Sequence, residues 1–369
     1  MSAANISGPK PRPGILDIAA YVGGKDSIPG FDKVIKLSSN EGALGPSPKA
    51  MEAYKAIAAD LHRYPEGGSI DLRAAIGKHY GLNPERIVCG TGSDELLNLL
   101  VRAYCGPGDE LLYSQHGFLM YPINAKGVGA VPVAAPETKD LRTDIDALLK
   151  LVTDKTKIVV LANPNNPTGS YLTKDEMKRL HAGLPKSVML IVDAAYAEYV
   201  ARNDYEAGIE LVDAADNVVM TRTFSKIYGL GGLRVGWFYG PAGIVDAINR
   251  LRQPFNVNAA AQAAAIAALN DIAHADAQRS NNDIWLPWFS QELTRLGLHV
   301  YPSVGNFVLV RFPKGEGKDA TAANAHMLKH GIIPRMMGAY GLGDCLRITI
   351  GTEAEMRTAR DALASFVKG

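Results

Sequence analysis

The sequence predicts an α/β protein, with a large domain on a mostly parallel sheet flanked by helices and a smaller α+β domain after it. Length is the first reason: 369 residues exceed one ordinary core and correspond to about two or three domains at roughly 150 residues each. Texture is the second. From about residue 46, short apolar runs alternate with helical segments. Strands that are apolar throughout need cover on both faces, which parallel sheets receive from their crossover helices. The third reason is a change near residue 280, where a separate and smaller set of strands and helices begins. The chain divides accordingly into an arm over 1–45 that joins the small domain, a large domain over 46–280 and a small domain over 281–369.

The arm is read from its punctuation. Pro9, Pro11, Pro13, Gly14, Gly23, Gly24, Pro29 and Gly30 forbid long regular elements, so this segment is expected to lie over another surface. Ser47 then caps a helix opening at Pro48, a position where the missing N–H is no loss. In the large domain the strand candidates are 87–89, 111–113, 158–161, 188–192, 218–221 and 235–238. Between them, Thr173 with Glu176 has the spacing of a capping box that starts a helix. The alanine-rich run 259–269 is shorter than the ~18 apolar residues of a membrane span and is interrupted by Gln262, so it reads as a buried helix. A long segment over 276–296 leads away from this domain. Strands at 306–311 and 346–350 follow, with a helix at 320–329 and a last one, opened by the Thr352/Glu355 capping box, to about 367.

Composition excludes several classes of function. Lys plus Arg (39) nearly equals Asp plus Glu (38), so there is no field for polyanions, and neither nucleic acid nor a membrane is an expected partner. Cys89, Cys105 and Cys345 are odd in number and lack metal-type spacing, which suggests a reducing compartment and no metal. The opening MSAANISGPKPRPG has no apolar core of the kind a secretory signal needs. A cytoplasmic enzyme is the expectation.

Four segments carry candidate chemistry. Gly90-Thr-Gly-Ser-Asp-Glu95 follows a strand and feeds a helix, presenting free N–H groups and a positive dipole end where a phosphate would sit; taken alone, such a segment is more often just a turn. Asn163-Pro-Asn-Asn-Pro-Thr-Gly169 is a stiff polar loop at a strand's carboxyl end, where open α/β sheets hold ligands. Asp193 ends another apolar strand. A buried carboxylate is costly without a partner, so something cationic should face it, unless it merely caps a helix. Thr221-Arg-Thr-Phe-Ser-Lys226 places a lysine among hydroxyls and glycines, with Arg234 eight positions on. The Gly229/Gly231 pair lacks the third glycine and the early position of a dinucleotide fingerprint.

Taken together with Ser39-Asn-Glu-Gly-Ala-Leu-Gly-Pro-Ser-Pro48, Arg63-Tyr-Pro-Glu66, Gly232-Leu-Arg234 and Leu346-Arg-Ile-Thr349, these segments resemble the fold-type I pyridoxal-phosphate aminotransferases over nearly the whole chain. The branch they resemble most is the histidinol-phosphate aminotransferases. The resemblance implies a seven-stranded sheet in the large domain, pyridoxal 5'-phosphate as cofactor and a homodimer. It implies that Lys226 forms the Schiff base and then acts as general base, and that Asp193 pairs with the pyridine nitrogen. Tyr196 and Asn166 would bond the ring's phenolic oxygen, and Phe118 would stack on the ring. Gly92, Ser93, Thr223, Ser225 and Arg234 would hold the phosphate, with Tyr64 reaching the phosphate of the neighbouring subunit. Arg347 and Arg335 would receive the carboxylate of glutamate or the phosphate ester, and Tyr21 and Asn40 would line the substrate pocket. The implied reaction is amino transfer between L-histidinol phosphate and 2-oxoglutarate in histidine biosynthesis. Rival readings are an aromatic-amino-acid aminotransferase, a threonine-phosphate decarboxylase and a cofactor-binding regulatory domain. Two departures stand out: Ala194 follows Asp193 where the family often has an acid, and Gly42-Ala-Leu44 replaces the commoner Asn-Pro-Tyr or Asn-Pro-Leu.

Overall fold

The computed structural model describes residues 8–315 and 317–369. As their prolines and glycines demand, residues 8–40 form little regular structure: one 3-10 turn at Ile15–Asp17 and the two-residue strand β1, Ile35–Lys36. Helices α1 (Pro48–Ala56) and α2 (Ile70–Tyr80) follow, and Ser47 accepts the Ala50 amide as the cap of α1. Seven strands then build the main sheet: β2 (Ile87–Gly90), β3 (Glu110–Ser114), β4 (Val131–Ala135), β5 (Thr156–Ala162), β6 (Met189–Asp193), β7 (Val218–Thr223) and β8 (Gly236–Tyr239). Between and after them run α3 (Ser93–Tyr104), α4 (Met120–Val128), α5 (Ile145–Lys150), α6 (Lys174–Gly183), α7 (Ile209–Ala214) and α8 (Ala242–Leu251).

The strand order is β2-β8-β7-β6-β5-β3-β4. Its core pairs are parallel, and β8 alone runs antiparallel, to both β7 and β2. The cause is the connection: no crossover helix lies between β7 and β8, so the chain turns back at the sheet's carboxyl edge. Strand β4 escapes sequence reading because Pro132 interrupts it, and a proline in a strand is tolerated at a sheet edge, which is where β4 lies. Side-chain alternation feeds two cores, one per face. Val159, Leu161, Leu190, Val192, Val218 and Met220 pack on one side, and Ile158, Val160, Met189, Ile191 and Val219 on the other.

Helix α9 (Ala259–Leu269) is buried through most of its length, as an alanine face allows, and packs on α1 and α2. The 24-residue α10 (Ile272–Arg295) carries the chain away from the main sheet. Beyond it lie β9 (His299–Tyr301), β10 (Phe307–Arg311), α11 (Ala320–Lys329), β11 (Ile332–Ile333), β12 (Arg335–Met336), β13 (Cys345–Thr349) and α12 (Glu353–Lys368). Strands β12-β13-β10-β9 form an antiparallel sheet with its own core around Phe289, Val308, Ile348 and Leu363. Strand β1 of the arm pairs with β11 in parallel, and Leu37 enters the same core.

Candidate active site

All main-sheet strands except β8 point the same way, so their carboxyl ends share one edge, and a cavity of about 240 Å³ opens there. Each strand end delivers a particular group. Asp193 is the last residue of β6. The next residues turn into a 3-10 helix at Ala197–Tyr199, which leaves Tyr196 at the cavity wall. Thr223 ends β7, and the β7–β8 connection begins with Ser225 and Lys226 and finishes with Arg234. Strand β5 runs into the 163–169 loop, which carries cis peptide bonds before Pro164 and Pro167. Asn163 locks that loop by exchanging hydrogen bonds with the backbone of Leu172, and Asn166 projects to the cavity. After β2, Gly92 is the N-cap of α3 and supplies no side chain, so Ser93 and the first amides of the helix face the cavity uncapped.

Close backbone approach explains two glycines here. A side chain at Gly92 would meet the Arg234 guanidinium at 2.6 Å, and one at Gly236 would meet the Ser93 amide nitrogen at 2.5 Å. Arg234 itself adopts a left-handed backbone (φ 54°), a strained conformation for a residue other than glycine and one that clusters at functional sites. Thr223 donates to Ser225 Oγ at 2.9 Å, and Arg234 Nη1 lies 3.4 Å from the same oxygen.

The charged groups are held in unusual states. Asp193 is 4% exposed and accepts from Tyr121 Oη at 2.8 Å and Thr221 Oγ1 at 3.2 Å. Burial pushes its carboxyl up to about 6, against these hydrogen bonds. Lys226 Nζ donates to the Ser39 carbonyl at 3.1 Å and sits 5.6 Å from the centre of the Tyr196 ring. Burial, with the nearby Arg347 charge, brings its amine down to about 8. Arg347 on β13 is 6% exposed and donates to Asn166 Oδ1 at 2.6 Å and the Ser38 carbonyl at 2.7 Å, while its Nε has no partner. Asn40 Nδ2 donates to Tyr196 Oη at 2.9 Å, which ties the arm's end to the β6 end.

Of the residues singled out from sequence, Ser93, Phe118, Asn166, Asp193, Tyr196, Thr223, Ser225, Lys226 and Arg234 line this one cavity, with Gly92 directly beneath Arg234. Asn40 and Arg347 bond to its wall. Three others are not among its lining residues. Tyr64 is 83% exposed and stacks on Phe255 at 4.8 Å. Tyr21 is half exposed on the arm, and Arg335 donates to the Val22 carbonyl of that arm at 2.6 Å. Sequence reading missed Tyr121 and Thr221, which hold Asp193, and the cavity residues Ser39, Glu41 and Asp94. Asp94 lies 3.4 Å from Arg234, and burial raises its carboxyl. Its signal was available, since an acid in the first turn after a glycine N-cap faces whatever that helix end binds.

A mostly parallel sheet with a partly buried lysine and a strand-end carboxylate in one crevice defines a fold-type I transferase. The aminotransferase class I and II family model matches residues 32–363, and the chain belongs to that family. It is 61% identical over 362 residues to a histidinol-phosphate aminotransferase of Paramagnetospirillum magneticum, covering 98% of this chain and 99% of that one. A histidinol-phosphate aminotransferase of Rhodospirillum centenum is 57% identical, with 99% of this chain and 100% of that one covered. Among solved structures, the histidinol-phosphate aminotransferase of Sinorhizobium meliloti, in complex with pyridoxal-5'-phosphate, superposes with a TM-score of 0.88 at 30% identity, covering 99% of both chains.

Proposed function

We propose that this aminotransferase uses pyridoxal 5'-phosphate to move the amino group between L-histidinol phosphate and 2-oxoglutarate, a step of histidine biosynthesis. The observation that carries the cofactor is the donor set of the cavity. At one end stand a glycine-capped helix terminus, two hydroxyls and a guanidinium, which suit a phosphate. In the middle stands a buried carboxylate whose protein partners are hydroxyls and a backbone amide, which suits a protonated ring nitrogen. Opposite lies the partly buried amine of Lys226, lowered to about 8, which suits an aldehyde.

When bound, the cofactor supplies an electron sink for the charge left at the substrate's α-carbon. The protein's part is to bind and to move protons. Lys226, lowered to about 8, is roughly one-tenth unprotonated at pH 7, a far larger free-amine fraction than an ordinary lysine has, and it can take and return the α-proton. Asp193 keeps the ring nitrogen charged, and Tyr121 and Thr221 orient its two oxygens. Phe118, Tyr196 and Asn166 line the same cavity; Phe118 would pack the ring, while Tyr196 and Asn166 would bond its phenolic oxygen. Arg347 takes the carboxylate of glutamate. Arg335 of β12, which holds the arm through the Val22 carbonyl, takes the phosphate ester. The reading also assigns the arm to 1–45, the cofactor domain to 46–280 and the small domain to 281–369.

The same reading makes the enzyme a cytoplasmic homodimer in which Tyr64 reaches the partner's cofactor phosphate. Its support is the exposed Tyr64–Phe255 stack and an apolar groove of about 400 Å³ beside the Lys226 loop, where Met51, Tyr54 and Leu230 meet. Among the described residues no helix is long and apolar enough to cross a membrane. Steady-state kinetics test the substrate. The expected kcat/KM for histidinol phosphate exceeds those for phenylalanine and tyrosine; equal values would give the aromatic-amino-acid reading, and carbon dioxide release without 2-oxoglutarate would give a decarboxylase.

A further inference from the structure

Directly behind the Lys226 loop lies a second constellation of buried polar groups that the chemistry above does not use. Side chains alternate along β7, so Thr221 and Thr223 face the cavity and Arg222, between them, points to the other side of the sheet. There Arg222 Nη1 donates to Glu198 Oε1 at 2.7 Å, in a pair whose side chains are only 7% and 8% exposed. Tyr80 Oη donates to the same oxygen at 3.1 Å, and the Arg222 guanidinium lies 4.9 Å from the centre of the Tyr80 ring. Tyr80 and Tyr228 oxygens are 2.7 Å apart. A phenol has one proton, and Tyr80 gives its own to Glu198, so Tyr228 is the donor in this contact. The hydrogen bonds therefore run in one direction, from Tyr228 through Tyr80 to Glu198.

Each member sits on a different piece of the active-site frame. Glu198 lies five residues past Asp193, in the 3-10 turn that ends the β6 connection. Tyr228 lies two residues past Lys226, Arg222 is on β7 and Tyr80 closes α2. Arg279 of α10 adds a bond from Nε to the Glu198 carbonyl at 2.8 Å, joining the helix that leads to the small domain. A buried ion pair is a weak source of stability, and this one leaves Arg222 Nε and Glu198 Oε2 without partners. Apolar side chains would fill the volume with no such desolvation. What the ionic arrangement adds is a fixed direction at every contact.

We propose that Glu198, Arg222, Tyr80 and Tyr228 are positioning residues, a buried network that holds the Lys226 loop in register with the Asp193 strand end. The inference rests on the roles proposed above for Lys226 and Asp193. It makes the placement of the amine depend on a phenol that touches neither substrate nor cofactor.

The test uses the holoenzyme with Tyr228→Phe, Tyr80→Phe and both together, each change removing one oxygen. Expected are a loss of kcat of about ten- to a hundredfold, as displacement of a reacting group produces, with KM for both substrates within about twofold. The visible circular dichroism of the bound cofactor should fall to roughly half or less, because ring and amine lose their fixed relation, while Tm stays within about 3 °C. The double variant should be no worse than the worse single, since either change breaks the same chain. Tyr228→Phe, at the chain's end, decides the matter if Tyr80→Phe does not fold. Wild-type kcat and circular dichroism in a folded Tyr228→Phe would overturn the inference, as would additive losses in the double variant. Lys226→Ala is the control. Loss of the cofactor's visible band there, with unaffected tyrosine variants, sinks the network alone, whereas retention of the band sinks the site reading and the network together.

Discussion

On the back of β7, Arg222 has its counter-charge within 2.7 Å and an aromatic ring on its face, and the same carboxylate oxygen also accepts from Tyr80. On the front, one residue away in either direction, threonines face the cavity that holds Asp193, buried, and Lys226, partly buried, two groups displaced from their ordinary protonation to about 6 and about 8. Their hydrogen-bond partners are hydroxyls, a backbone amide and a carbonyl rather than opposite charges. The difference is whether the charge is balanced by the protein itself, and it separates a framework from a receptor: where the chain completes its own ion pair the geometry is finished, and where it does not, a ligand of the missing sign completes it.

Breaking the completed pair gives the largest expected effect on stability. Glu198→Ala leaves Arg222 buried with no counter-charge, and removing one partner of a buried pair costs about 3–5 kcal/mol. Urea unfolding of the cofactor-free protein measures this directly. A cost below about 1 kcal/mol, the range of surface pairs, would mean that the back of β7 is wetter than its packing implies.

How far this contrast was legible in the sequence follows from its physics. A carboxylate ending an apolar strand and a lysine among hydroxyls announce themselves locally, because charge is out of place there, and six of the seven strands stand out for the converse reason. The partners do not. Tyr121 and Thr221 reach Asp193 across 72 and 28 residues, and nothing near a tyrosine or threonine in the chain says which acid it will serve. Arg222 could have been placed, since period-two alternation puts it opposite Thr221 and Thr223, but its pairing with Glu198 depends on how the β6 connection turns. Strand β4 was hidden by Pro132, whose tolerance depends on an edge position that only the assembled sheet defines.

The unfinished side predicts the opposite response to losing a charge. Asp193 rises on folding from 3.8 to about 6, so the folded state prefers the neutral acid. The stability that this preference lends is present below pH 3.8 and is lost as pH rises through about 6, a total of roughly 3 kcal/mol. Asp193→Asn is neutral at every pH and escapes that loss. Without cofactor the variant should therefore be more stable than the wild type above pH 6, with a margin that grows by roughly 1.5 kcal/mol between pH 5 and pH 7.5. Adding pyridoxal phosphate should reverse the order, because the ring's positive charge then favours the carboxylate. A margin independent of pH would show that Asp193 keeps an ordinary acidity and that the front of β7 is not short of a counter-charge.

Arg347 sharpens the comparison from the cation side. It is buried, its two bonded nitrogens donate to an amide oxygen and a carbonyl, and its Nε has no acceptor, so by the same rule it awaits an anion. Two anions are on offer in the proposed reaction, and they differ in reach. In the proposed division the carboxylate of glutamate, attached at the reacting carbon, meets Arg347, whereas a phosphate ester one carbon further out also meets Arg335 on the neighbouring strand β12, at the arm. Arg347→Ala should then lower kcat/KM for glutamate about tenfold more than for histidinol phosphate, the size of one charged hydrogen bond. Equal losses would mean that both anions use Arg347 alone and that Arg335 serves the arm, through the Val22 carbonyl it already holds.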